Sequence, residues 1–318
     1  MSKVAVTGGA GFVGANLVRS LLSENHEVVV IDDFSTGLAR NVSGLACEIL
    51  QISIGDSTKL SKAISNCEYI FHLGARGSVP RSIRNPRATM EVNILGTLNV
   101  LEIARTNGAT VAFSSSSSVY GANGELPKVE KMWLSPLSPY AASKLGCEAL
   151  ITSYAASYGI PAIVYRFFNI FGPWQRPDHD YAAVIPKWIW NLMHNKSIQV
   201  FGDGEQARDF TYIDDVVSVL MDGMRRKINH PNPINLAFGS RITLNDCIRK
   251  LEKRFPQITV EYLPNRVGDI RESKNNPILM HELFPNIAKM DFDEALDRTI
   301  KWFNESGTFI ANGPPVSD

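Results

Sequence analysis

Tyr140 and Lys144 stand four residues apart just behind Ser138-Pro139, and an unbroken run of five serines, Ser114 to Ser118, lies upstream of them. Ser138 and Pro139 suit the cap and first residue of a helix, which puts Tyr140 and Lys144 on one helical face. A tyrosine, with an ordinary pKa of about 10, is a poor base at neutral pH, but a neighbouring ammonium and a pyridinium favour its phenolate. Such a phenolate can take the proton of a substrate hydroxyl while a hydride leaves the same carbon, and a serine beside it can hold the substrate oxygen. Ser116 is the first candidate for that serine and Ser118 the second. At least two of the five serines read as a plain polar strand end. Alone, a Tyr-x-x-x-Lys pair is more often an exposed helix surface.

What changes that balance is the amino-terminal stretch Thr7-Gly8-Gly9-Ala10-Gly11-Phe12-Val13-Gly14. Lys3 to Thr7 reads as a buried strand, Gly8 to Gly11 as a tight turn, and Val13, Leu17, Val18, Leu21 and Leu22 as the apolar stripe of a helix. Glycines at 8, 11 and 14 let the backbone turn sharply and approach a pyrophosphate at a helix amino terminus. The next strand, Glu27 to Ile31, ends at Asp32, where a carboxylate meets the adenosine ribose hydroxyls and repels a 2′-phosphate. No arginine follows in Asp33-Phe34-Ser35-Thr36-Gly37, so the cofactor expected is NAD rather than NADP.

Further strands are expected at Cys47 to Ile52, Glu68 to Leu73, Ala109 to Ser114 and Ile160 to Arg166, alternating with helices. This is the pattern of an α/β fold, a Rossmann-type doubly wound parallel sheet. Their carboxyl ends carry Gly8, Asp32, Gly55-Asp56, His72-Leu73-Gly74-Ala75, the serines and Asn169, where ligands of open sheets bind. Beyond Asn169 the chain turns irregular, punctuated by Pro173, Pro177, Pro186, Pro231, Pro233 and Pro264. The expected division is an NAD-binding domain over 1–168 and a smaller carboxyl-terminal substrate-binding lobe over 169–318, with some chain returning to the first domain. The tail from Gly307 to Asp318 is expected to fray.

The 318 residues are 44% hydrophobic, enough for a full core, and 32 Lys plus Arg balance 32 Asp plus Glu. That balance gives no long-range field for nucleic acid or an acidic membrane, and points to a small-molecule partner. Cys47, Cys67, Cys147 and Cys247 are scattered, and His26, His179, His194, His230 and His281 lack ligand spacing, so neither disulfide nor metal is expected. His72, at a strand end, reads as a packed residue. No apolar run reaches the roughly 18 residues of a membrane span, and the first strand leaves no room for a cleavable signal, so a cytoplasmic location is expected.

In this order, TGGAGFVG, VVVIDD, HLGA, NILGT, SSSSSVYG, SPYAASK and RFFNIFGP closely resemble the extended short-chain dehydrogenase/reductase family, and within it the nucleotide-sugar epimerases. The resemblance runs from the first strand to near residue 305. It implies that Gly8, Gly11, Phe12 and Val13 surround the pyrophosphate, that Asp32 and Asp33 with the following Ser35, Thr36 and Gly37 line the adenosine ribose, and that Asp56 and Ser57 meet the adenine. Leu73, Gly74 and Ala75 would line the cofactor channel, Asn93 would support the strand ends, and Phe167 would lie near the nicotinamide. Lys144 would lower the Tyr140 pKa and bind the nicotinamide ribose. Sugar dehydratases of this family carry an acid pair where this chain has Ser117 and Ser118, and decarboxylases a glutamate at the second of these. That leaves a 4-epimerase, in which a 4-keto sugar turns over and takes the hydride back on its other face.

The stretch 178–187, with Val184 and Lys187, resembles UDP-sugar 4-epimerases that accept N-acetylated hexoses, as do Gly77-Ser78-Val79-Pro80-Arg81-Ser82 and 235–245. Ser78 and Asn169 join the implied sugar site. Val200 and Phe201 would form the base-binding edge, and Arg208, Arg266 and Arg271 a diphosphate clamp, a task suited to the guanidinium fork. UDP-GlcNAc or UDP-glucose is the implied substrate. Arg176 stands where an acid is common, and an extra cation could suit UDP-glucuronate; Asn275-Asn276 also departs from the pattern. A cofactor-sensing regulatory protein is the reading from another class, although such proteins usually lose the Tyr-Lys pair. A net oxidoreductase releasing NADH is a third. Helices around Pro86 to Arg105 and Ser138 to Tyr158 correspond to the pair that forms a four-helix bundle in family dimers, implying a homodimer.

Overall fold

The computed structural model describes residues 1–178, 182–265 and 271–306. Six valine- and isoleucine-rich segments form β1 (Lys3–Thr7), β2 (Glu27–Asp32), β3 (Glu48–Gln51), β4 (Tyr69–His72), β5 (Thr110–Ser116) and β6 (Ala162–Phe167). They pair in parallel in the order β6-β5-β4-β1-β2-β3, so the chain reverses its direction of travel across the sheet between β1 and β4. That switch point opens a crevice beyond the strand ends. The second half contributes β7 (Asn169–Phe171), β8 (Ile198–Phe201), β9 (Ala207–Arg208), β10 (Phe210–Tyr212), β11 (Ile234–Leu236), β12 (Ile242–Thr243), β13 (Val260–Leu263) and β14 (Glu272–Ser273). Most of these build small two- and three-stranded sheets, but β11 runs parallel to β6 and makes the main sheet seven-stranded.

Strand alternation sends side chains to two cores. On one face Val4, Val6, Val28 and Val30 meet Leu17 and Leu21 of α1 (Phe12–Ser23), and on the other Ala5, Val29 and Ile31 meet Leu60 of α2 (Ser57–Ile64). Short helices α3 (Val79–Arg84) and α4 (Pro86–Met90) lead to α5 (Gly96–Asn107) and α6 (Pro139–Tyr158), which cover that second face. The first core continues without a break into the carboxyl-terminal half, through α7 (Val184–Met193), α8 (Ile213–Arg225), α9 (Leu244–Glu252), α10 (Ile278–Leu283) and α11 (Phe292–Glu305). Trp188, Phe210 and Phe292 therefore share a core with Val4.

The single helix expected from Pro86 to Arg105 is instead α4, a π-helical turn at Glu91–Leu95, and α5. The π turn brings Asn93 inward, and such turns gather at functional sites. Ser138 caps α6 as expected, its hydroxyl accepting from the Ala141 N–H at 3.1 Å. Among the described residues no helix is long and apolar enough to cross a membrane, and no group of three His, Cys, Asp or Glu could hold a metal.

Candidate active site

The glycine turn is a place where two backbones touch. Gly8 has φ +68°, and a Cβ there would lie 2.8 Å from Gly74 Cα. A Cβ on Gly14 would meet the Gly8 carbonyl at 2.3 Å, so side chains are excluded from the turn and from the start of α1. Buried Asp32 pins this turn to the end of β2, accepting from the N–H groups of Ala10 and Phe34, both at 2.9 Å. Burial pushes its carboxyl pKa up, and those two bonds oppose the rise. Gly37 packs on the Asp32 carboxylate, and Asp33 accepts from the Ser35 N–H. Ser35 and Thr36 are exposed. Asp56 caps α2 through the Lys59 N–H at 3.0 Å, with Ser57 as the first helical residue. A cradle closed to side chains and an acid at the next strand end fit a dinucleotide carrying free ribose hydroxyls.

Beyond the turn lies a cavity of about 290 Å³, lined by Phe12, Val13, Leu73, Ala75, Tyr140 and Lys144. It meets a larger one of about 1240 Å³, and Ser116, Phe167, Phe168 and Ile170 line both. β5 runs to Ser116, two residues past the expected Ser114, and its alternation divides the labour among the serines. The Ser114 hydroxyl donates weakly to the His72 carbonyl at 3.4 Å, and the Ser115 hydroxyl donates to Glu148 Oε1 at 2.5 Å. Ser116 alone of these three lines both cavities, and it is the serine that opposes the rise of the Tyr140 pKa. Ser118 donates to Ser116 Oγ from its hydroxyl at 2.9 Å and from its N–H at 3.2 Å, so it reaches the tyrosine only through Ser116.

Burial pushes the Tyr140 hydroxyl pKa up, and the bond to Ser116 is what opposes that rise. Burial also brings Lys144 down to about 8, against the pull of Cys147 and Glu148. Its ammonium donates to the Ser114 carbonyl at 2.6 Å, so the expected direct lowering of Tyr140 by Lys144 is not made by the protein alone. His72 is held neutral by burial, its pKa lowered to about 3, with its ring nitrogens 2.8 Å from Thr7 Oγ1 and 3.0 Å from Thr97 Oγ1. It is a packed residue with both nitrogens engaged. Asn93 stands beside the end of β4 without lining the site. Its amide accepts from the Arg76 N–H at 2.7 Å and donates to Ser143 Oγ at 2.8 Å, and it lines neither cavity, so it braces the Gly74-Ala75 loop against α6.

Of the expected sugar and nucleotide contacts, Asn169, Val184, Phe201, Arg208 and Arg271 line the larger cavity. Val200 does not. Strand alternation turns it into the core, fully buried, and turns Gln199 and Phe201 to the cavity. Lys187 is also off the lining, because only the start of α7, at Val184 and Ile185, reaches the cavity. Ser78 caps α3 with φ +92°, and the lining passes to Val79 and Pro80 after it. Arg266 lies outside the described residues, as do Gly268-Asp269 and the stretch from His179 to Tyr181. Arg271 pairs with Asp203 at 3.0 Å, and Arg208 donates to its neighbour's carbonyl, that of Ala207, at 2.9 Å. Arg176 pairs with Asp178 at 2.8 Å and is not on the lining. Residues missed in the sequence include Arg241, paired with Glu272 at 2.8 Å, and Gln206, Asn123 and Lys128. Gln206 was legible by its two-residue spacing from Arg208; Arg241 lies in the stretch 235–245 read as family-like but was not singled out within it.

The model of the family described as NAD dependent epimerase/dehydratase matches residues 4–237. A putative UDP-glucose 4-epimerase of Methanocaldococcus jannaschii is 35% identical over 95% of this chain and 99% of its own. The structure of a UDP-N-acetylglucosamine 4-epimerase from Methanobrevibacter ruminantium M1, in complex with UDP-N-acetylmuramic acid, superposes with TM-score 0.91 at 34% identity, covering 96% of this chain and 99% of that one. A UDP-glucuronic acid 4-epimerase from Bacillus cereus, solved with UDP-glucuronic acid and NAD, superposes with TM-score 0.86 at 28% identity over 95% and 99%.

Proposed function

Since this chain belongs to the NAD-dependent epimerase/dehydratase family, we propose that it is a UDP-sugar 4-epimerase. The observation that carries the reading is the meeting of Ser116, Tyr140 and Lys144 on the smaller cavity where Ser116 also lines the larger one. The smaller cavity, continuous with the glycine turn, takes the nicotinamide end of NAD, and the larger takes the sugar nucleotide. Tyr140, as phenolate, removes the proton of the sugar C4 hydroxyl while Ser116 holds that oxygen. A bound NAD would supply the acceptor for the C4 hydride and the donor for its return to the other face of the turned ketone. Lys144 would hold the nicotinamide ribose and, with a bound pyridinium, would offset the cost of ionising Tyr140. Arg208, Arg271 and Arg241 supply guanidinium donors for the diphosphate.

The larger cavity, at about 1240 Å³, exceeds the roughly 300–1,000 Å³ of common ligand sites, leaving room for a keto sugar to turn over. Ser117 and Ser118, where dehydration or decarboxylation wants acids, favour epimerisation over those reactions. The pairing of Arg176 with Asp178 favours UDP-GlcNAc or UDP-glucose over UDP-glucuronate. The chain acts as a homodimer in this reading, supported by exposed Ile83, Met90, Leu95 and Tyr158 along α3 to α6. The test is NMR of the protein incubated separately with UDP-GlcNAc, UDP-glucose and UDP-glucuronate. A galacto-configured product from a neutral sugar, lost in Tyr140→Phe with NAD still bound, is expected. Conversion of UDP-glucuronate alone would overturn the sugar assignment, and no conversion of any would favour the regulatory reading.

A further inference from the structure

Directly behind the serines and α6 lies a charged pair that the reaction above does not use. Glu148, one turn beyond Lys144, and Arg166 of β6 are both almost fully buried and joined by two bonds, Nε to Oε1 at 2.9 Å and Nη2 to Oε2 at 2.8 Å. The Ser115 hydroxyl donates to the same Oε1. On its other side Arg166 Nη1 donates to the Tyr120 hydroxyl at 3.0 Å and to the Glu130 carbonyl at 3.3 Å, and Tyr120 donates to Asn235 Oδ1 of β11 at 2.7 Å. Tyr120 closes the turn that begins at Ser117 and lines the larger cavity. One carboxylate and one guanidinium thus tie the strand residue before Ser116, the helix of Tyr140 and Lys144, the turn after the serines, and two further strands.

A buried ion pair is poor evidence of stabilisation, since a hydrophobic pair of similar volume often does as well. Its value lies in what its geometry holds. We infer that Glu148, Arg166 and Ser115 are positioning residues for the proposed epimerisation, keeping Ser116 in register with Tyr140 and setting the electrostatic surroundings of Lys144. The inference rests on that reading for its kinetic part only. Lys144 is faced on its own helix by Tyr140, Cys147 and Glu148, from β4 by His72, and from β5 by the Ser114 carbonyl and the Phe113 ring, whose centroid is 4.6 Å from Nζ. Arg166 stands behind Glu148. Glu148 favours the Lys144 ammonium against burial, and the Arg166 guanidinium bonded to it offsets part of that pull; removing either one leaves the other uncompensated.

The two single variants therefore shift Lys144 in opposite directions, which loosening of the fold alone does not produce. In Glu148→Gln the unbalanced Arg166 cation disfavours the ammonium, and the Lys144 titration moves down by about one pH unit. In Arg166→Met the unbalanced Glu148 anion favours it, and the titration moves up by about as much. Lysine-labelled holoenzyme, followed by NMR with Lys144→Arg for assignment, reads this without substrate. In turnover, kcat falls about 10- to 100-fold in both variants while KM stays within about threefold, as displacement of a reacting group predicts. Shifts in the same direction, or none, overturn the inference, as does an unchanged kcat. Should either variant fail to fold, Ser115→Ala removes only the hydroxyl: a lowered kcat with unchanged Tm supports the inference, and an unchanged kcat ends it. A wild type that converts no UDP-sugar ends the epimerase reading, while the opposed titrations stand or fall independently.

Discussion

At the scale of single residues, the site is decided by which way each side chain turns from a strand or helix that the sequence announces well. The five serines illustrate it. Composition marks them as a cluster, but only the alternation of β5 separates Ser116, bonded to Tyr140, from Ser115, which turns to Glu148. Ser116→Ala is accordingly expected to lower kcat by about 10² or more, and Ser118→Ala by much less, because Ser118 touches the tyrosine only through Ser116. Steady-state kinetics on the two variants check this, and equal losses would contradict the ordering. Val200 shows the same principle in reverse: a motif names two neighbours, yet a strand cannot turn both to one cavity, and Phe201 and Gln199 are the pair that faces it. Arg241 was named only within the stretch 235–245, because its place on the lining depends on the antiparallel pairing of β12 with β9, a contact between segments far apart in the chain.

At the scale of elements, the parallel strands were legible because each is a short apolar run with turn residues behind it, and all six fall within two residues of their expected positions. The π turn at Asn93 was not, since no propensity distinguishes it from helix; it exists for the tertiary bonds of one amide to Arg76 and Ser143. β11 was missed for a similar reason, being three residues that become a strand only against β6. Helix α8 carries a pH dependence of its own. Asp215 in its first turn is buried, accepts from the Met290 N–H at 3.2 Å, and burial raises its pKa from 3.8 to about 6. The folded state holds that proton more tightly than the unfolded chain, so stability from this group is present below about pH 4 and is lost as pH rises through about 6. Asp215→Asn keeps an acceptor without the charge. Denaturant unfolding is expected to find the variant level with wild type at pH 4 and more stable by about 2 kcal/mol at pH 8. A variant less stable at pH 8 would mean that the carboxylate bond to Met290 outweighs its desolvation.

At the scale of the whole molecule, a cofactor cradle built by β1, β2 and α1 and a substrate cavity built largely by the second half are joined through one continuous hydrophobic core. The first was readable from spacing, because a dinucleotide turn is local; the second depends on loops gathered from 79 to 273, and spacing could only name its arginines. Exposed Ile83, Met90, Leu95 and Tyr158 predict a particle of twice the chain mass in solution scattering, and a monomer would contradict the dimer. The central claim is that the reaction inverts C4 through a ketone that turns over in the cavity without leaving it, while its hydrogen leaves and returns. The most direct measurement follows a UDP-sugar carrying deuterium at C4 by NMR, with no NAD added. The account predicts the C4 epimer with its deuterium retained and no free NADH. Deuterium exchanged for solvent hydrogen, or a product that has lost water or carbon dioxide, would contradict it.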